Sequence, residues 1–100
     1  MKREERTKYM SFIPFGRENA KPASRLAMEW GTSTRGVRMI ISELRESGER
    51  ICSCDKGYWT AECIEEMLDT VMRIRTHALK ELRSVSKMYG DLKIMGFSVQ

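Results

Sequence analysis

The sequence has little of what secreted, disulfide-stapled or membrane-spanning proteins need. Its 100 residues include three cysteines, an odd number, and no leader-like apolar stretch follows the charged start Met1-Lys2-Arg3-Glu4-Glu5-Arg6. Disulfide frameworks belong to oxidising compartments, so we expect free thiols. No apolar run approaches the roughly 20 residues that cross a bilayer. The sequence therefore predicts one soluble domain with a cytoplasmic location and no membrane partner.

Signatures of catalysis and of cofactor binding are also missing. His77 is the only histidine, and no serine, cysteine or acidic cluster is spaced to act with it. The phosphate loops G-x-x-x-x-G-K-S/T and G-x-G-x-x-G do not occur. Cys52, Cys54 and Cys63 are competent zinc ligands, but a C-x-C pair on a strand lacks the loop of a structural zinc site. We therefore predict that the protein is not an enzyme and takes no metal or cofactor, and the residues identify no small-molecule substrate.

The chain does carry a surplus of positive charge, and it is unevenly distributed. The net charge is +4, with 12 Lys and Arg against 8 Asp and Glu in residues 1–60, and six of each sign in residues 61–100. A clustered basic surplus is typical of a surface that binds phosphates, although this one is modest.

The hydrophobic period changes twice in the middle of the chain. Helical spacing runs over residues 23–30, stops at Gly31, and resumes after Ser33 with Val37, Ile40, Ile41 and Leu44. Pro22 suits the first helical position, Ser33 suits the N-cap of the second helix, and Gly48 suits its end. Two short helices joined by a glycine-containing turn predict a helix-turn-helix.

A strand-like pattern follows directly. Residues 51–53 and 58–60 are rich in β-branched and aromatic side chains, and between them lies the turn candidate Cys54-Asp55-Lys56-Gly57. A hairpin after a helix-turn-helix is a wing. We therefore predict an α+β, mostly α fold, with a winged helix-turn-helix and a two-stranded wing over residues 12–60.

The flanking segments are predicted from weaker patterns. Residues 1–11 show no apolar stripe, so we expect a flexible basic arm. Residues 61–89 keep apolar side chains at helical spacing, which predicts a long C-terminal amphipathic helix that ends at Gly90. Residues 90–100 are expected to form an apolar tail of unassigned role.

The predicted long helix has an apolar stripe too wide for the internal core alone. Its a and d positions form a heptad pattern broken by Glu81, and other apolar residues widen the stripe. We expect the helix to pack both on the motif and on a second copy, giving a homodimer. The predicted dimer contacts are Val71, Ile74, Ala78, Leu82 and Val85.

Candidate DNA contacts lie on the outward side of the second motif helix and near it. Arginine grips guanine in the major groove, and a methyl-bearing surface meets thymine. A tip lysine and cations beside a helix N-terminus reach phosphates. The alternatives are a solvated helix surface and a lysine that keeps the turn soluble. The predicted DNA contacts are Thr34, Arg35, Arg38, Met39, Ser42, Lys56, Arg25 and Lys21.

The same residues also carry a resemblance to a known family. Four segments carry it: Gly16-Arg17-Glu18-Asn19-Ala20, Gly31-Thr32-Ser33, Glu43-Leu44-Arg45 and Lys56-Gly57-Tyr58-Trp59. They resemble segments of small winged-helix proteins found in phages and prophages of Gram-positive bacteria. The resemblance covers about residues 12–90. It implies a DNA-binding module, and it departs at Lys21-Pro22, where such proteins often carry a capping Ser or Thr.

Taken together, these patterns predict sequence-specific binding of double-stranded DNA by a small transcriptional or phage-DNA regulator. One alternative is a protein–protein interaction module that binds a host protein through the winged helix and the C-terminal helix. Another is an accessory factor in DNA packaging or recombination, which uses similar binding physics. The operator, the direction of regulation, any effector and the oligomer number do not follow from the residues.

Overall fold

Helices dominate the computed structural model, which describes residues 1–96. They are α1 (Arg3–Met10), α2 (Ala23–Trp30), α3 (Thr34–Glu46) and α4 (Ile64–Ile94), with a single 3₁₀ turn at Arg17–Asn19. Between α3 and α4, strands β1 (Ile51–Cys54) and β2 (Gly57–Thr60) form a two-stranded antiparallel sheet. The fold is thus mostly helical, with one hairpin and a long C-terminal helix. By its internal contacts, the chain divides into two units, Met1–Thr70 and a second that begins at Val71.

Local residues explain the helix pair α2–α3. Gly31 ends α2 in the left-handed region at φ 65°, a conformation that costs glycine little. The Ser33 hydroxyl accepts a hydrogen bond from the Gly36 N–H at 3.1 Å and caps α3, as predicted. Pro22 lies one position earlier than predicted, at the N-cap of α2, because its ψ of 149° is extended.

The hairpin pairs Ile51 with Thr60 and Cys54 with Gly57, which leaves Asp55 and Lys56 as its two-residue turn. Its outer edge is tied to the start of α2, since Lys21 and Tyr58 exchange backbone hydrogen bonds of 2.9 and 2.8 Å. Gly57 is buried there at φ 132°, and a side chain would collide with the Lys21 carbonyl. The hairpin therefore has a fixed position against the helix pair.

The hydrophobic core lies between α2, α3 and the hairpin. Leu26, Val37 and Leu44 are fully buried, and each burial of this kind stabilises the fold by about 1.5–3 kcal/mol. The cluster also includes the other buried residues of the helix pair. It is completed by Ile13, from the segment between α1 and the 3₁₀ turn, and by Ile51 of β1.

The prediction of a loose arm over residues 1–11 was wrong, because this segment contains helix α1. The Arg6 Nε donates to Glu49 Oε1 at 2.7 Å, and the Tyr9 ring meets Trp30 edge to face at 5.1 Å. Both partners are distant in sequence. Only Tyr9 and Met10 supply apolar contact, so α1 has no periodic stripe that a sequence pattern could reveal.

Helix α4 is also longer than predicted and is displaced toward the C-terminus. It begins at Ile64 instead of residue 61, passes through Gly90 and ends at Ile94. A mid-helix glycine costs about 1 kcal/mol, which does not stop a long helix. The apolar tail predicted for residues 90–100 is therefore helical through Ile94, and residues 97–100 lie outside the described part. Within residues 1–96, no helix combines the length and apolarity needed to cross a bilayer.

The first two turns of α4 cover the second side of the hairpin. Cys52 and Trp59, paired across the strands, are buried on that side, and Thr70 of α4 is 4% exposed. The Thr70 hydroxyl accepts from the Ser53 N–H at 3.4 Å, and the sulfurs of Cys52 and Met67 lie 3.9 Å apart. The hairpin is therefore enclosed on both sides within residues 1–70.

Candidate nucleic-acid interface

Helix α3 has two chemically distinct sides. Val37, Ile41 and Leu44 point into the core, which fixes the rotation of the helix about its axis. The opposite side presents four residues at the spacing i, i+3, i+4 and i+7, where side chains of a helix lie together. These four residues line one shallow, solvent-exposed depression of about 370 Å³: Arg35, Arg38, Met39 and Ser42. The structure thus brings together four of the predicted DNA contacts.

The two arginines on this side are free to bind a ligand. Among residues 1–96, neither Arg35 nor Arg38 forms an ion pair or a side-chain hydrogen bond. Arg45 of the same helix differs, because its Nε donates to the Ile51 carbonyl at 2.9 Å and its Nη2 to Ser53 Oγ at 3.2 Å. Arg45 joins α3 to β1, whereas Arg35 and Arg38 remain in solvent.

The N-terminus of α3 is rigid and open. Thr34 is exposed in its first turn, and the Ser33 cap satisfies one backbone N–H while the others remain available. Gly36 lies so close to Thr32 that a side chain at position 36 would collide with the Thr32 hydroxyl. The Ser33 cap and this close approach connect the turn to the first turn of α3, which carries Arg35.

Lys56 lies in the hairpin turn, where its side chain is exposed. A depression of about 400 Å³ beside the turn is lined by Arg17, Glu18, Asp55 and Lys56 among others, so its charges are balanced. Lys56 forms no ion pair within the part of the chain that the structure describes. Its ammonium can reach a phosphate without giving up an internal contact.

The prediction for Lys21 needs correction, because its ammonium is already bound. The Nζ donates to the Phe12 carbonyl at 2.6 Å and lies 2.9 Å from Glu29 Oε1, and the side chain is only 18% exposed. Breaking these contacts would cost more than an exposed phosphate contact returns. Arg25 lies 3.9 Å from the same carboxylate but is 71% exposed, so it remains available.

Glu66 is an organising residue that the sequence reasoning missed. Its Oε2 accepts from the Trp59 indole N–H at 2.9 Å and from the Glu62 N–H at 3.0 Å, and its Oε1 accepts from the Arg17 N–H at 3.4 Å. The Glu62 and Trp59 hydrogen bonds lower the pKa of this carboxyl. The available signal was its place in the first turn of α4, where a carboxylate often caps backbone N–H groups.

The cysteines are placed as single free thiols. Cys52 is buried, and burial raises the pKa of its thiol, which makes it a poor nucleophile. Cys54 is partly exposed and Cys63 exposed. In residues 1–96, no three His, Cys, Asp or Glu side chains are grouped as metal ligands would be.

The predicted dimer contacts on α4 all belong to the unit that begins at Val71. Every side chain from residue 71 to 96 is exposed, and Leu82 is 60% exposed. Leucine, valine and isoleucine at this exposure gain free energy when a second apolar surface covers them. The five predicted dimer contacts are thus available for a contact with another molecule: Val71, Ile74, Ala78, Leu82 and Val85.

Comparison with known proteins returns no match: no family model, no curated protein and no solved structure is similar to this chain. The resemblance to phage winged-helix proteins stays a prediction that depends on the residues quoted for it.

Proposed function

We propose that the protein binds double-stranded DNA sequence-specifically as a winged helix-turn-helix, with α3 as the recognition helix and the hairpin as the wing. The observation that carries the proposal is the pair of unpaired arginines, Arg35 and Arg38, on the outward side of a helix whose inward side is locked in the core. Two unpaired guanidiniums on a helix that is anchored in the core are placed for an external anion.

The chemistry of the four residues matches base edges. A guanidinium donates two parallel hydrogen bonds to O6 and N7 of guanine, the Met39 side chain packs on a thymine methyl group, and the Ser42 hydroxyl donates or accepts. The major groove admits one α-helix. The backbone of a helix held by Val37 and Ile41 is already ordered before it enters the groove, so binding loses little backbone entropy, which favours discrimination between sequences.

Phosphate contacts supply the remaining affinity. The open N–H groups at Thr34, the Arg25 guanidinium and the Lys56 ammonium are cationic or partly positive and solvent-exposed. Such contacts position the protein but carry no sequence information. We therefore assign base readout to Arg35, Arg38, Met39 and Ser42, and backbone contact to the other three.

The test compares arginine variants on oligonucleotides obtained by selection for binding. Arg35→Ala and Arg38→Ala should each weaken specific binding by about 1–3 kcal/mol in fluorescence anisotropy and relax the preference at one base pair. Lys56→Ala should weaken all sequences evenly. Arg83→Ala, an exposed arginine on α4, is the matched control. Unchanged affinity in both α3 variants, or an equal loss in the control, would refute the assignment.

The proposed biological role is a transcriptional or phage-DNA regulator that acts as a homodimer. Two copies would place two recognition helices on half-sites separated by one or more helical turns. The partner surface is the exposed apolar stripe of α4, which otherwise leaves residues such as Leu82 and Val85 in water.

The same stripe favours a second candidate function, docking to another protein. A salt titration separates the two. If DNA is the ligand, log affinity falls linearly with log salt concentration, with a slope near −0.9 for each phosphate neutralised. Binding dominated by apolar contact changes little over the same range. A flat titration with every DNA tested would favour the docking module.

A further inference from the structure

A second cationic depression, apart from the residues assigned to DNA, lies beside α1. It has a volume of about 700 Å³ and runs between α1, the connection from α3 to β1, and the lead-in segment. This volume falls within the range of about 300–1,000 Å³ found for small-molecule sites. It contains three arginines and one carboxylate: Arg3, Arg6, Arg50 and Glu49.

The internal pairing leaves a net positive charge in this groove. Glu49 is engaged by Arg6 at 2.7 Å, which neutralises one guanidinium. Arg3 and Arg50 form no ion pair with any described residue. Two unpaired guanidiniums that line one groove suit a carboxylate or a phosphate, which accepts paired N–H donors.

The groove also offers a fixed aromatic ring. Phe15 is 63% exposed although its segment is rigid: the Thr60 N–H donates to the Pro14 carbonyl at 2.7 Å, and the Gly16 N–H donates to the Thr60 carbonyl at 3.1 Å. Met10 adds a second apolar side chain. A rigid exposed ring beside unpaired arginines suits a ligand with a flat apolar part and an acidic part.

We propose that this groove is a binding site for a small aromatic acid, with Arg3 and Arg50 holding its carboxylate or phosphate and Phe15 packing on its ring. The site is separate in its residues from the proposed DNA contacts. The proposal for the groove can therefore be tested independently of DNA binding.

The experiment titrates the full-length ¹⁵N-labelled chain with three probes: phenyl phosphate, inorganic phosphate and benzyl alcohol. Phenyl phosphate should cause saturable shifts at the amides of Phe15, Arg50 and Thr60. Each of the two partial probes should bind about tenfold or more weakly, because each lacks one half of the interaction.

Variants assign the site to its residues. Arg50→Gln should weaken phenyl phosphate binding about tenfold. Arg83→Gln, at an exposed arginine of α4 outside both proposed sites, is the matched control and should leave the affinity unchanged. Amide spectra of all variants report whether the fold is intact.

Several results would overturn the proposal. Shifts that do not saturate, equal affinity for inorganic phosphate, or full binding in Arg50→Gln would each exclude the site. A loss of DNA affinity in Arg50→Gln without phenyl phosphate binding would instead make the groove part of the DNA surface. Failure of the α3 variants to alter DNA binding would leave these outcomes unaffected, so the two proposals are tested separately.

Discussion

The unit formed by residues 1–70 and the unit that begins at Val71 are both largely helical, yet only the first has an interior. Every buried hydrophobic residue in the described chain belongs to residues 1–70, including Leu26, Val37 and Leu44 at 0% exposure. From residue 71 to 96, every side chain is exposed. The first unit is organised by burial, whereas the second has only its own helical hydrogen bonds.

The difference separates two uses of an apolar stripe. On α3 the stripe is covered by α2 and the hairpin, so the opposite side becomes a rigid polar surface. On the later turns of α4 the stripe itself is the surface. Isolated helices in water are marginal, and most helical stability in proteins comes from packing. An external partner is therefore expected for α4 and is unnecessary for α3.

The largest expected effect compares equal deletions in the two units. Leu44→Ala should lower the free energy of unfolding by about 2–5 kcal/mol, because it leaves a cavity in a fully buried site. Leu82→Ala removes the same atoms from an exposed position and should cost far less in dilute protein. Urea denaturation followed by tryptophan fluorescence measures both. Similar losses of unfolding free energy in the two variants would contradict the conclusion that only residues 1–70 have an interior.

A smaller effect is expected at the start of α3. Ser33→Ala removes the acceptor of the Gly36 N–H and should cost about 0.5–2 kcal/mol, as N-cap losses do. Ser42→Ala, on the outward side of the same helix, is the control and should change stability little. It should alter DNA binding instead. The same denaturation assay, paired with anisotropy, checks whether folding and binding separate on α3.

Glu66→Gln should change how stability depends on pH. The carboxyl pKa lies below its ordinary value of 4.5 in the folded state, so ionised Glu66 stabilises the fold above that value, and this contribution is lost as the pH falls through the folded pKa. The variant should melt at a lower temperature than the natural chain at pH 7. That difference should shrink toward pH 3. Glu65→Gln is the neighbouring control, and a pH-independent difference would contradict the prediction.

The smallest effect on the folding of one chain is expected at the α4 stripe. Leu82→Asp should leave the unfolding of residues 1–70 unchanged and convert a dimer to a monomer in light scattering. Thr76→Asp adds the same charge on another side of α4 and should leave the mass unchanged. If the natural chain is monomeric at high concentration in light scattering, the proposal of a homodimer is refuted.

Short-range sequence patterns were sufficient to predict the α2–α3 helix pair and the hairpin. Gly31 and Ser33 fixed the turn and the start of α3, and the Asp55-Lys56 turn fixed the hairpin, because each depends on neighbours within four residues. The four outward residues of α3 followed from helical spacing alone. Helix α1 did not, since it is held by Glu49 and Trp30, which lie more than twenty residues away.

The sequence by itself determined which segments are helical in the centre of the chain, where the hairpin turns, and which side of α3 faces outward, because hydrophobic period and turn chemistry are local. Only the tertiary structure decided which cations are available. Arg35 and Arg38 remain unpaired, while Lys21 binds Glu29 and the Phe12 carbonyl. The availability of a charge depends on the carboxylates and carbonyls that folding brings within hydrogen-bond distance. Those distances cannot be obtained from the order of the residues alone.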